Sequence, residues 1–408
     1  MNILIIHPTF PGQYFYLSTY LAKNPENKVV FLAKENSINA MLAGVDLALY
    51  EAPNPVAPET HRYLKVATEA VLTGQQTIRA LDSLRRRGFV PDVVIGHAGW
   101  GSHLYIKDIY PDVPVMSYFE WYYHAKPSES YWWPDEEPPI DVAMSIRTKN
   151  MHHLLSLERC DMGITPTNWQ LSQFPEVYRP RIKVQHEGID TVFCRPLEQE
   201  EKPGLCLPEQ QLDLPPGTEI ITYVSRGFEP IRGFPEFMDA IRLVLAARPK
   251  CHVVIAGKDR VCYGSKLPEG QSYKQMEEEK GGYDPARVHF VGLLNRGDYR
   301  RMMQASSCHV YLTRPFILSW SMLEAMSFGC PLVASKTPPC QEMVEDGVNG
   351  LLAEFRSPHH IARRIQELLD DRQLAERLGR QAREFVLERF ELNKALRGYE
   401  DLMYSLVK

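Results

Sequence analysis

What this chain lacks narrows its chemistry first. No window approaches the roughly 18 uninterrupted apolar residues of a membrane-spanning helix, so no segment is expected to cross a bilayer. The cysteines at 160, 194, 206, 251, 262, 308, 330 and 340 form no Cys-x-x-Cys pair and no zinc spacing. Most stand in or beside apolar runs, as small buried hydrophobes do, and no metal site is expected. Positive charge is not in excess. A net charge of −5 argues against a nucleic-acid binder held by phosphate neutralisation. The strongest basic run, Arg85-Arg86-Arg87, is expected to end a helix and complement its dipole. It leaves room for at most a peripheral contact with anionic lipid. The N-terminal run Met1-Asn2-Ile3-Leu4-Ile5-Ile6 has no basic leader and reads as a first strand rather than a signal peptide. The cytosol is the expected compartment. No short internal repeat or low-complexity segment is present. The turn after that first strand, His7-Pro8-Thr9-Phe10-Pro11-Gly12, is not the Gly-x-Gly-x-x-Gly of a dinucleotide site. That counts against a dinucleotide-dependent oxidoreductase.

With 408 residues, 44% hydrophobic and 24% charged, the chain has the make-up of a globular protein too long for one ordinary core. Strand-like apolar runs fall at 3–6, 29–32, 93–95, 113–117, 162–165 and 182–186, with amphipathic patterns between them, as at 13–23 and 63–87. Alternation restarts after a Pro/Glu/Gln/Gly-rich stretch. Strands are expected at 219–224, 253–256, 288–291, 309–312 and 332–334, with helices at 235–247, 297–305 and 322–328. Helices at 358–370, 372–389 and 392–406 close the chain. Apolar strands alternating with helices predict an α/β fold of two doubly wound, Rossmann-like domains. The boundaries read as 1–195, a linker at 196–217, 218–385, and a C-terminal helix at 386–408 that packs back toward the first domain. Ligands of such sheets bind beyond the carboxyl ends of the strands, so facing domains would enclose a cleft.

Two segments carry the chemistry. Arg226 stands at the carboxyl end of the 219–224 strand, and Arg232 precedes a glycine and a helix. Two guanidiniums so placed can bind a diphosphate and offset charge as it leaves, although arginines on a loop are also ordinary solvated surface. In Arg314–Ser335, a helix beginning near Ser319–Ser321 points free N–H groups and a positive dipole end forward. That suits an anionic group. Glu324, one turn in, could accept from a ribose diol; a capped helix with a solvent-facing glutamate is the plain alternative.

The order Arg226-x5-Arg232-Gly233, then Val-Ile-Ala-Gly257, then Val-His-Phe-Val-Gly292, then Ser-Trp-Ser-Met-Leu-Glu324-Ala-Met and Gly-Cys-Pro-Leu-Val-Ala resembles the retaining glycosyltransferases of family 4. The likeness covers nearly the whole chain. Phe10-Pro-Gly12-Gln13 is similar to that family's first glycine loop, and Glu187-Gly-Ile-Asp190 to its Asn-Gly-Ile-Asp turn. The resemblance implies the GT-B fold, with the active site between two Rossmann-like domains and a nucleoside diphosphate sugar as donor. It implies no cofactor and no metal. On it, Arg226 and Arg232 would hold the donor diphosphate, with arginine at 232 where lysine is usual. The amides of Ser319, Trp320 and Ser321 would bind the same phosphates, and Glu324 the ribose. Leu293 would meet the base, and Gly12, Gln13 and Gly257 would line the donor.

Two positions depart from the pattern. Phe316 stands where the family often has a glutamate that contacts the transferred sugar, and Glu120 where it commonly has a histidine. Both touch sugar recognition. Glu120 is read as catalytic, and His97, Tyr118 and Trp121 as contacts for acceptor or sugar. Arg314 is near enough in sequence to assist. The aromatic stretch 118–133 either shapes the acceptor site or packs a long loop onto its domain. The histidine pairs at 152–153 and 359–360 are expected on helix surfaces. The reading is a retaining, metal-independent transferase. A nucleotide-sugar epimerase, a phosphorylase and a non-catalytic nucleotide-sugar-binding subunit are the alternatives.

Overall fold

Alternate residues of a strand point to opposite faces, and in this protein both faces of the central strands are apolar. The computed structural model describes residues 1–197, 203–264 and 267–407. They form two units, Met1–Gly188 with the chain from Leu392 onward, and Ile189–Glu391.

In the first unit, β1 (Asn2–Ile6), β2 (Lys28–Lys34), β3 (Val45–Tyr50), β4 (Val93–His97), β5 (Val115–Tyr118), β6 (Met162–Thr165) and β7 (Ile182–Val184) form one sheet. Its order is β3-β2-β1-β4-β5-β6-β7, and every pair is parallel. Ile3, Ile5, Phe31 and Ile95 fill one face, and Leu4, Ile6, Leu32 and Val94 the other. Burying each such side chain is worth about 1.5–3 kcal/mol, which is why β1 and β4 tolerate no charge. The helix Leu392–Val407 covers the first of these faces with Leu396, Tyr399 and Met403.

The second unit repeats the device. An antiparallel hairpin, β8 (Leu205–Leu207) and β9 (Leu212–Leu214), precedes β10 (Glu219–Gly227), β11 (Cys251–Lys258), β12 (Val288–Gly292), β13 (Cys308–Tyr311), β14 (Leu332–Ser335) and β15 (Leu351–Ala353). The sheet order is β12-β11-β10-β13-β14-β15. Strand order reverses between β1 and β4 in one unit and between β10 and β13 in the other. Those switch points are where open α/β sheets bind ligands.

The stretch read as a linker, 196–217, is partly folded. Residues 198–202 lie outside the described residues. Beyond them, Leu205, Leu207, Leu212 and Leu214 enter the core of the second unit. Their alternation was hidden by the Pro208–Gln210 turn between them, which Gln211 closes at φ 52°. β3 and β15 were also unmarked: β3 is a half-exposed edge strand carrying Asp46, and β15 has three residues. His152 and His153 are buried, not on a helix surface, because their helix Met151–Arg159 turns them inward.

Candidate functional site

In the second unit, β10 ends at Arg226 and Gly227, and the short turn Pro230–Arg232 leads through Gly233 into the helix Phe234–Ala247. Arg232 is only 6% exposed. Its Nη1 donates to the Tyr311 hydroxyl at 3.2 Å, Thr313 Oγ1 at 3.0 Å and the Ile317 carbonyl at 2.8 Å. Its guanidinium carbon lies 5.3 Å from the Tyr263 ring centre and 5.6 Å from that of Phe316. Among the described residues no carboxylate lies within ion-pair range of it; the Glu229 carboxylate acts on it only at longer range. An unpaired buried cation costs several kcal/mol, and arginine does not escape by losing its proton. Phe316, buried and edge-on to Tyr263 at 5.2 Å, matters here: a glutamate at 316 would neutralise part of that charge.

Arg226 is exposed, and its Nη1 donates to the Tyr263 hydroxyl at 3.2 Å. One tyrosine therefore touches both guanidiniums. Tyr311, its phenol pushed up to about 12 chiefly by burial, also accepts from the Ser319 N–H at 2.8 Å. The Ser319 hydroxyl caps the helix Trp320–Ser327 by accepting from the Ser321 N–H. The three amides expected to face a phosphate are thus not equivalent. The Ser319 N–H is taken by the Tyr311 hydroxyl and that of Ser321 by the Ser319 cap, and the Trp320 N–H makes no hydrogen bond among the described residues. Glu324 Oε2 accepts from the Tyr299 hydroxyl at 2.7 Å, and burial raises its pKa. Leu293 is 60% exposed after Gly292. Gly257, at φ 148°, is required by its own neighbour strand: a Cβ there would collide with the Ser225 carbonyl oxygen. Arg314 is fixed through its backbone, its N–H donating to the Ile231 carbonyl at 2.8 Å.

In the first unit, β1 delivers His7 and β4 delivers His97, and their rings meet edge to face at 5.7 Å. Burial pushes His7 down to about 4 and His97 well below its ordinary value. His97 Nδ1 accepts from the Gly99 N–H at 2.9 Å, which assigns the ring proton to Nε2. That Nε2 is buried, makes no hydrogen bond among the described residues, and stands 3.9 Å from Glu120 Oε2. Gln13 Nε2 is likewise buried without a partner among the described residues. Gly12, at φ 52°, lies against the His7 ring. Tyr118 is buried and donates to Glu187. Trp121 belongs elsewhere: it is 3% exposed and packs on Trp169, as does Trp132. Phe119 and Tyr122 pack on Phe174. Much of the aromatic stretch is therefore a seam fastening a loop.

Sequence reasoning missed Tyr311, Tyr263, Tyr299, Glu229 and Trp100. Tyr311 sits at a strand's carboxyl end and could have been found by that rule. Trp100, exposed over the rings of His7 and His97, lies in the glycine-rich turn Gly96-His97-Ala98-Gly99-Trp100-Gly101 at the end of β4. Tyr263 lies in a loop without pattern and carried no signal. An open groove of about 680 Å³ lined by Gln341, Glu345, Asn349, Glu384 and Arg389 shares no residue with either set. No group of histidine, cysteine and carboxylate side chains able to hold a metal occurs among the described residues, and no helix among them is long and apolar enough to cross a membrane.

Residues 25–194 match the family model described as glycosyl transferase family 4 group, and residues 209–385 that of glycosyl transferases group 1. An uncharacterised glycosyltransferase of Methanocaldococcus jannaschii is 29% identical over 139 residues, 34% of this chain and 36% of that protein. A second from the same organism is matched over 40% of its length, so the chain spans well under half of these curated relatives. Sucrose-phosphate synthase from Thermosynechococcus elongatus has a similar structure, with a TM-score of 0.72 at 17% identity over 100% of this chain and 99% of that one. HepE of Anabaena, solved in complex with UDP, gives 0.67 at 16% identity over 100% of both chains. At such identities the likeness is one of fold.

Proposed function

This chain belongs to the family 4, group 1 glycosyltransferases and has their GT-B fold, and from that premise we propose that it transfers a sugar from a nucleoside diphosphate sugar to an acceptor hydroxyl, with retention. The observation that carries this reading is Arg232, a buried cation without a counter-ion in ion-pair range among the described residues. A diphosphate supplies one. Arg226 and the Trp320 N–H add donors on the same unit, and Glu324 Oε1 takes the ribose hydroxyls. As the bond from the anomeric carbon to the diphosphate breaks, the two guanidiniums stabilise the leaving oxygen, the role a metal would otherwise fill. The acceptor oxygen bonds to the same face, and its proton passes to a phosphate oxygen of the leaving group. No protein nucleophile is needed.

The first unit takes the acceptor. His97 Nε2–H donates and Glu120 accepts, orienting a hydroxyl, while Trp100 offers a ring face. The HepE relative was solved with UDP and with UDP-glucose, which makes uridine nucleotides the first donors to try. Buried cysteines at 160, 194, 251, 308, 330 and 340 suit a reducing, cytoplasmic setting. The test is thermal stabilisation by UDP, GDP and ADP followed by transfer assays with the corresponding sugars. At least one nucleotide should raise the melting temperature, and Arg226→Ala should cut turnover about 100-fold or more without loss of fold. No stabilisation by any of the three, or near-normal turnover in the variant, would refute the reading.

A further inference from the structure

Glu229 is fully buried, yet it is a carboxylate. Its Oε2 accepts from three consecutive backbone N–H groups, those of Cys262 at 3.0 Å, Tyr263 at 2.9 Å and Gly264 at 3.0 Å. Its Oε1 is buried without a hydrogen-bond partner among the described residues. Its own carbonyl accepts from the Arg232 N–H at 3.1 Å and the Phe234 N–H at 3.3 Å. One residue thus ties the turn that carries Arg232 to the turn that carries Tyr263. Tyr263 in its turn puts its ring face beside the Arg232 guanidinium and its hydroxyl against Arg226.

We propose that Glu229 is a positioning residue for the donor diphosphate, acting by clamping the 262–264 turn so that Tyr263 sets the spacing of Arg226 and Arg232. The idea rests on the donor-site reading above. A core position occupied for packing alone would be better filled by an apolar side chain, since burying an ion is costly and replacing buried charge by hydrophobic residues is often neutral or stabilising. The three charge-assisted bonds hold backbone that has no strand partner among the described residues. Arg226 is exposed at the end of a long side chain, and an anion that had to order it would bind more weakly. The Tyr263 hydroxyl orders it beforehand.

The experiment titrates the full-length chain with whichever of UDP, GDP and ADP stabilises the wild type. The variants are Glu229→Ala, Glu229→Gln, Tyr263→Phe, Tyr263→Ala and the double Glu229→Ala/Tyr263→Ala. Glu229→Ala and Tyr263→Ala should each weaken binding by about 10-fold or more, roughly the loss of one charge-assisted contact. Tyr263→Phe should cost less, since it keeps the ring. Because both residues act through one turn, the double variant should bind within about two-fold of the weaker single one, the non-additivity of a coupled pair. Amide exchange at 262–264 should speed up in both Glu229 variants. Glu229→Gln keeps the shape with a weaker acceptor and should fall between wild type and Glu229→Ala; it keeps the test open should the alanine variant not fold. The proposal is overturned if folded Glu229 variants bind as the wild type does, or if the two losses multiply in the double variant. If the wild type binds none of the three nucleotides, the donor-site reading fails, and this inference with it.

Discussion

At the switch point of its sheet the first unit places two histidines, and at the equivalent point the second unit places an arginine and a tyrosine. Both pairs are buried by the same arrangement of parallel strands. The consequences differ because the side chains differ in what they can give up. A buried imidazole avoids the cost of an unpaired charge by remaining neutral, and His7, His103 and His152 are each pushed down to about 4 by burial. A buried guanidinium keeps its charge and retains a demand for an anion. The first unit is therefore a neutral hydrogen-bonding surface with carboxylates at its rim, and the second holds a buried positive charge.

Acid should separate the two most strongly. The folded-state values of those three histidines lie below the unfolded value of 6.5, so the folded state binds fewer protons. The stability present above pH 6.5 is then lost as pH falls toward 4. A drop from 6.5 to about 4 corresponds to about 3 kcal/mol for each histidine. In the second unit the comparable buried group is His309, pushed down to about 3. Hydrogen exchange near pH 4.5 should show β1 and β4 losing protection before β10 and β13; equal loss would remove the electrostatic contrast. A backbone effect comes next. Gly257→Ala should destabilise the second unit by about 2–3 kcal/mol, through the collision with Ser225 and an unfavourable φ. Gly88→Ala, at φ 86° in open space in the first unit, should cost only about 1 kcal/mol. Denaturant melts of both variants check this. Smallest is the effect of Glu120→Gln. Transfer should fall about ten-fold, the worth of one charge-assisted hydrogen bond, while the nucleotide Kd stays within two-fold. A weakened nucleotide Kd would show that Glu120 serves the donor.

Much of this architecture was legible. The helices Pro358–Asp370 and Arg372–Arg389 stand at their expected bounds because Ser357 and Asp371 are visible caps, accepting from the His360 and Leu374 N–H groups. Central strands were legible because burial on both faces leaves uninterrupted apolar runs. Of the four edge strands, β7 and β12 were marked, but β3 and β15 were not, since one side of β3 faces solvent and dilutes its pattern and β15 has only three residues. In the site, motif spacing marked Arg226 and Arg232 but not what joins them. Tyr263 reaches them from a different strand's loop, and no local pattern records which ring folds over which cation. Trp121 misled for the same reason: an aromatic run reads alike whether it faces a ligand or, as here, Trp169.

The account depends on the unpaired charge of Arg232. Calorimetric titration of wild type and Arg232→Met with the stabilising nucleoside diphosphate tests it most directly, because methionine keeps much of the bulk and removes the charge. Binding should weaken by about 100-fold or more in the variant. Equal affinity in the two proteins would contradict the claim that this guanidinium is the anchor for the diphosphate.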